Sequence, residues 1–294
     1  MSLSVVINVD DLGLHPAVRR AVRELGAAGA VTSATLLANG PDLAEAARVT
    51  EADLGVHLNI MRGRPLSPPE TIPSLVDGRG LFPGSFTAIL KAYLTRRLDP
   101  AQAEAEWARQ IERVLDLGVR PSHLDSEKHV HALPGLMAAV QRLARRYGVP
   151  WVRRQREAAP WTRWDKGGLR VRFLNLCALG HRPLPEVAWP DAVWGVADQG
   201  EALLPGRFEQ AMQRLKAVRR GQTPAGIVVE IVCHPGRPEP GDPPLPAEFG
   251  PMRVAAQWRA EYDRLSDPGW SEALRRLGAR AVGYAGLDPV RRAR

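Results

Sequence analysis

The stretch "LSVVINVDDLGLHPAVRRAVRELG", Leu3–Gly26, decides how the fold is read. Leu3–Asn8 is a short apolar run rich in β-branched residues, the pattern of a strand buried on both faces. It ends in two aspartates, Asp10 and Asp11, so a polar, functional loop is expected at its C-terminal end. Between His15 and Gly29 the period changes, and Val18, Val22 and Leu25 fall on one helical face. A buried strand, an acidic strand end and an amphipathic helix form one unit of a parallel α/β protein.

The unit recurs outward from this start. "VTSATLLANG" is a second strand closed by the Asn39-Gly40 turn, and Pro41–Val49 a helix with proline at its start. "LGVHLNI" is a third strand, followed by a Pro/Gly-rich loop over Met61–Gly84. Helices are expected over Phe86–Arg96 and Ala101–Leu117, a fourth strand at "RPSHLD", a helix over Leu133–Tyr147 and a short fifth strand at "VPWVR". Residues 156–205, rich in Trp, Pro and Arg, show no regular period and read as an irregular insert forming a lid or wall. Phe208–Arg219 is helical, "AGIVVEIVCHPG" is the clearest buried strand, and the proline-rich 235–250 is a loop. Helices over Met252–Leu265 and Ser271–Leu277 and a last strand at "ARAVGYA" complete the chain. Alternation from end to end, about seven strands and no central linker predict a closed or nearly closed (β/α) barrel of parallel strands in a single domain, 1–294.

Composition narrows the function classes. At 294 residues with 24% charged, the chain can bury a large core. No apolar run reaches the roughly 18–20 residues of a membrane span, and the N-terminus lacks a basic leader, so a cytoplasmic protein is expected. Cys177 and Cys233 give no disulfide framework; Cys233 reads as core. The net charge of +8 raises nucleic acid as a partner. Only four of the 40 basic residues are lysines, an arginine bias that points to ion pairing, and no nucleic-acid partner is expected.

Chemistry-bearing residues gather at strand ends. Asp10 and Asp11 follow strand one, His57 and Asn59 end strand three, and Asp125, Glu127, His129 and His131 follow strand four in "HLDSEKHVH". Glu230 and His234 lie in and just after the "VVEIVCHP" strand. In a (β/α) barrel these ends open on one face, so residues distant in sequence converge. Each also has a plainer reading. Asp10 or Asp11 would cap the helix near His15, His57 would be a satisfied core histidine, and His234 a turn histidine bonded to backbone. The charged stretch after strand four would be a solvated loop, although it holds three of the chain's seven histidines.

The segments "VINVDDLGLHPAVRRAV", "GAVTSATLLANGP", "LGVHLNIMRGRPL", "RPSHLDSEKHVHALP" and "VVEIVCHPG" resemble, in order, the motifs of the YdjC-like carbohydrate deacetylases. That family includes chito-oligosaccharide and hopanoid-associated deacetylases. Residues 156–205 and 235–250 match little of it. The resemblance implies a distorted (β/α) barrel, a divalent metal (magnesium first, zinc second) and hydrolysis of an acetamido group on a small carbohydrate. It implies that Asp11, His57 and the residue at 127 bind metal, that Asp10 is the general base, and that His234 protonates the leaving amine. Asn59, Asp125, His129, His131 and Glu230 would bind substrate or support these groups, with Glu230 or Asp125 orienting His234. The resemblance leaves room for a homodimer.

One position departs from the pattern: Glu127 stands where much of the family has the first histidine of a "DSHHHVH"-type segment, and Lys128 replaces the second. Glutamate is a competent ligand for hard divalent ions, and Lys128 would offset its charge. The alternatives are that His129 or His131 takes over as ligand, or that the chain is a catalytically altered carbohydrate-binding relative. Hydrolysis of another amide or ester also stays open. Trp151, Trp161, Trp164, Trp189 and Trp194 would stack on sugar rings, or belong to the wall or core.

Overall fold

Valine and isoleucine fill β1 (Leu3–Leu12), which is buried almost throughout. Leu3, Val5, Ile7 and Val9 join the main core beneath the helices, while Val6 belongs to a separate cluster with Trp151, Ala188 and Tyr284. A strand covered on both faces needs neighbours on both edges, and β1 has them. The computed structural model describes residues 2–157, 164–182, 184–219, 226–250 and 252–289.

The order is β1, α1 (Pro16–Ala27), β2 (Ser33–Leu36), α2 (Leu43–Ala46), β3 (Asp53–Leu58), α3 (Phe86–Leu94), α4 (Pro100–Asp116), β4 (His123–Ser126), α5 (Leu136–Tyr147) and β5 (Trp151–Val152). Then follow α6 (Lys166–Ala178), β6 (Ala192–Trp194), α7 (Pro205–Val218), β7 (Ile227–Cys233), α8 (Trp258–Leu265), α9 (Gly269–Arg276) and β8 (Ala279–Ala281). Seven of the eight strands among the described residues are ordered β5-β4-β3-β2-β1-β7-β6, and every pair is parallel. β8 pairs with Leu3–Val5 at the start of β1, on the edge that β2 takes further along. Isolated parallel bridges, Trp151 to Ala188 and Glu157 to Val193, link the two ends of the sheet. The chain is therefore a distorted (β/α) barrel, as its alternating pattern predicts.

Helix ends follow local chemistry. His15, neither Asp10 nor Asp11, caps α1: its Nδ1 accepts the Ala17 N–H at 3.1 Å, and Pro16 opens the helix. That frees both aspartates for the strand end. Asp99 and Asp165 cap α4 and α6 in the same way. Along α4, Trp107, Ile111 and Val114 face the core, and burying side chains of this size contributes roughly 1.5–3 kcal/mol each.

The stretch 156–205, without a period in sequence, holds α6 and β6 among its described residues. Its pattern hides them: β6 is three residues long, and α6 leaves Leu169 and Leu176 exposed, blurring the apolar stripe. The helix expected over Pro41–Val49 shortens to α2. No helix among the described residues is long and apolar enough to cross a membrane.

Candidate active site

Two backbone irregularities shape the C-terminal mouth of the barrel. The β1–β2 register shifts between Val9 and Leu12, and Asp11 adopts φ 64. Regular strand geometry would send adjacent side chains to opposite faces, but this turn brings Asp10 and Asp11 to one cavity. After β4, Lys128 and His129 are both left-handed, with φ 49 and 57. Such conformations persist in non-glycine residues only where the surroundings impose them. His131 supplies the constraint: its N–H donates to Ser126 Oγ at 3.1 Å, and its Nε2 donates to the Arg153 carbonyl at 2.7 Å.

The cavity so formed has a volume of about 240 Å³. Asp10, Asp11, His57, Glu127, His129 and His234 line it together. Phe86, Phe173 and Leu174 give it an apolar side, and Lys128, Arg170 and Gln199 complete it.

Beneath the cavity lies Arg153, fully buried. Its guanidinium donates to Asp10 at 2.7 and 2.9 Å and to Glu230 at 2.6 and 2.9 Å, and it sits 2.7 Å from Asp125. Tyr284 donates to the other Glu230 oxygen at 2.8 Å, and Asn8 to Asp10 at 2.9 Å. Burial alone would favour a neutral Asp10, but the charge of Arg153 holds its carboxyl well below the usual range. Asp125 and Glu230 are pushed upward by burial, against the pull of the same guanidinium. Two donor triads, Asp10–His57–Asp125 and His123–Asp125–Glu230, each bring their atoms within 4.8 Å of one another, as a metal site would. Their acids are Arg153's partners, so a cation already stands among them.

The other corner differs. Asp11 Oδ1 is buried with no hydrogen-bond partner among the described residues, 3.4 Å from His57 Nε2. His57 Nδ1 lies 2.7 Å from Asp125, its register partner across β3 and β4. Thr35 donates to that carboxylate at 3.1 Å, so the ring is fixed with Nε2 beside Asp11. Burial opposes charge on His57, yet Asp125, Asp10 and Asp11 push its pKa up to about 10. Glu127 is buried too; desolvation, then the nearby Asp11 charge, raises its carboxyl to about 7. Arg62 Nε donates to Glu127 Oε1 at 2.8 Å. His129 Nδ1 is a further buried atom without a hydrogen-bond partner among the described residues. Aspartate, glutamate and imidazole together form a donor set that suits a divalent cation.

His234 leaves β7 with its N–H donating to Glu261. Its Nε2 is 3.9 Å from Asp10 Oδ2 and its Nδ1 3.9 Å from Glu261 Oε2. The exit is tight: a Cβ on Gly236 would meet the Trp258 ring at 2.6 Å, so only glycine fits.

Asn59, Asp125, His131 and Glu230 lie outside the cavity lining. Asn59 builds the loop after β3, accepting the Met61 and Arg62 N–H groups at 2.7 and 3.1 Å, and stays out of the cavity. His131 is likewise held by Ser126 and Arg153. Glu230 and Asp125 hold Arg153, and Glu261 is the acid beside His234. Arg62 is the ion-pair partner of Glu127, and Lys128 adds the electrostatic offset expected of it. Trp151 and Trp194 are buried in the core, Trp189 lies under Arg154, and Trp164 is 74% exposed over Arg172. None of these four lines the cavity, whose aromatic rings are Phe86 and Phe173; Trp161 lies outside the described residues. Arg153, Arg62, Glu261 and Tyr284 were not legible as site residues, although Arg153 does close the "VPWVR" strand.

Comparison with known proteins identifies the family of the chain. The family model described as YdjC-like protein matches residues 4–276. A protein named carbohydrate deacetylase from Geobacillus stearothermophilus is 34% identical over 235 residues, 78% of this chain and 78% of its own length. A human protein of the same name is 28% identical over 303 residues, covering 98% of this chain and 92% of its own. A solved structure from Enterococcus faecalis V583, described as a "putative cellobiose-phosphate cleavage protein", has a TM-score of 0.70 at 25% identity, covering 98% of this chain and 99% of that one. The chain belongs to the YdjC-like family.

Proposed function

We propose that the chain is a metal-dependent hydrolase that removes the acetyl group from an N-acetylated sugar or short oligosaccharide. One observation carries this reading: a single cavity gathers Asp10, Asp11, His57, Glu127, His129 and His234, with a buried, unbonded Asp11 oxygen beside His57 Nε2. A buried carboxylate oxygen without a donor is costly unless a cation or proton satisfies it. The relatives named carbohydrate deacetylase support the substrate class.

Asp11, His57 and Glu127 would hold the ion. A set with two carboxylates favours magnesium, with zinc the alternative. When bound, such an ion supplies Lewis acidity for the amide carbonyl and a more acidic water. The remaining steps belong to the chain. Asp10, kept ionised by Arg153, accepts the proton of the attacking water. A carboxylate held this low is a weak base, so the water must be acidified for the transfer to run. His234 Nε2, 3.9 Å from Asp10 Oδ2, flanks the same point and delivers a proton to the departing amine. Phe86 and Phe173 offer ring faces to a sugar and help exclude water.

The test is acetate release from N-acetylated chito-oligosaccharides. It should disappear with chelator and fall by about 100-fold or more in Asp11→Ala, the size of effect seen when metal binding is disrupted. Release that persists under both treatments would sink the metal-dependent reading.

A further inference from the structure

Arg62 occupies an unusual place for a cation. It stands beside the corner proposed to bind metal, with only 12% of its side chain exposed. Its Nε donates to Glu127 Oε1 at 2.8 Å, and its Nη1 donates to the Phe249 carbonyl at 2.8 Å. Its backbone is held as firmly. The Arg62 N–H donates to Asn59 Oδ1 at 3.1 Å, and its carbonyl accepts from Asn59 Nδ2 at 2.8 Å and Asn39 Nδ2 at 3.0 Å. One residue thus joins the loops after β2, β3, β4 and β7. Glu127 is set at the start of the left-handed Lys128–His129 turn, so its backbone is fixed from the other side. Its second carboxylate oxygen takes no hydrogen bond among the described residues, and Glu127 lines the cavity.

Charge alone does not explain this arrangement. Asp11 and Glu127, when ionised, carry two negative charges, and a cation at Arg62 weakens their attraction for a metal. What Arg62 adds is direction. A guanidinium tied at two ends holds one carboxylate oxygen and leaves the other to face the ion. We propose that Arg62 is the positioning residue of the metal corner, fixing Glu127 as a ligand through one oxygen by clamping the other. The proposal rests on the reading of Glu127 as a ligand.

The two roles of Arg62 predict opposite signs, which makes the test decisive. The chelator-stripped chain is titrated calorimetrically with Zn²⁺ and with Mg²⁺, and its thermal melt checks folding. Positioning predicts that Arg62→Met weakens binding by about 10–100-fold, the range for outer groups that orient a ligand. In a Glu127→Gln background the same change should do nothing. Arg62→Lys, which keeps the charge but loses the fork, should also bind more weakly than the parent. This arm decides the matter if Arg62→Met fails to fold. Unchanged or tighter binding in Arg62→Met, or unchanged binding in Arg62→Lys, overturns the positioning role while Glu127→Gln still loses affinity. Unaltered affinity in Glu127→Gln instead removes Glu127 as a ligand, and the proposal falls with it.

Discussion

Asp10 and Asp11 are neighbours in the chain and opposites in environment. Asp10 is supplied with donors and keeps acceptor capacity toward the cavity: Arg153 donates to both its oxygens and Asn8 adds a third bond. Asp11 has a buried oxygen that takes no hydrogen bond among the described residues. The cage around Arg153 satisfies its acids with a cation built into the chain, whereas the corner of Asp11, His57 and Glu127 leaves room for one from outside. Proximity of acids and histidines therefore does not by itself mark a metal site: the acids of the cage already share Arg153, while Asp11 Oδ1 takes no hydrogen bond among the described residues.

The comparison breaks most severely at Arg153. Replacing it by Met strands Asp10, Asp125 and Glu230 in a buried space, and breaking a buried ion pair this way costs about 3–5 kcal/mol. The melting temperature should fall steeply or the chain should not fold, while Asp11→Ala should melt close to the parent. A smaller loss for Arg153→Met would mean that the cage is not structural.

His234→Gln addresses the cavity side. It should slow acetate release by about 10²-fold or more, within the range for a lost general acid, and leave the melt nearly unchanged. An unaffected rate would remove His234 from the reaction.

A pH titration sharpens the contrast further. His131 is buried and neutral, with its pKa lowered by desolvation to about 3, against 6.5 when unfolded. The stability this gives is full above pH 6.5 and is lost as pH falls toward 3, because the unfolded chain then takes up the proton. At pH 5 the loss is about 2 kcal/mol from this group. Buried His123 is shifted in the same direction. Glu127, raised to about 7, contributes in the opposite direction over the same interval, so the readout is the difference between variant and parent: on going from pH 6.5 to 5, His131→Gln should lose less stability than the parent, and an equal slope in the variant would contradict it.

The smallest effect is expected at Trp164, outside both regions. Being 74% exposed, Trp164→Ala should change stability by less than about 0.5 kcal/mol and leave acetate release intact.

Much of the barrel was legible because buried parallel strands leave a plain signal: "LSVVIN" and "AGIVVEIVCHPG" are apolar runs that only a doubly covered strand needs. α6 and β6 left little, since a three-residue strand and a helix with exposed leucines have no clear period. Asp10, Asp11, His57, Glu127, His129 and His234 could be picked out because each is a polar residue at or just beyond a strand end. Arg153, Arg62 and Glu261 could not, as nothing local distinguishes them from the chain's many other charged residues.

By itself, then, the sequence determined the parallel α/β order and the set of strand ends that carry chemistry, because periodicity and residue type are local properties. Which acid is neutralised and which is left open was decided only in three dimensions. The β1 bulge turns Asp11 beside His57, β5 delivers Arg153 under Asp10, and the loop after β3 brings Arg62 to Glu127. Electrostatic pairing depends on distances of a few ångströms between residues far apart in the chain, 143 positions for Arg153 and Asp10, and no local pattern encodes those distances.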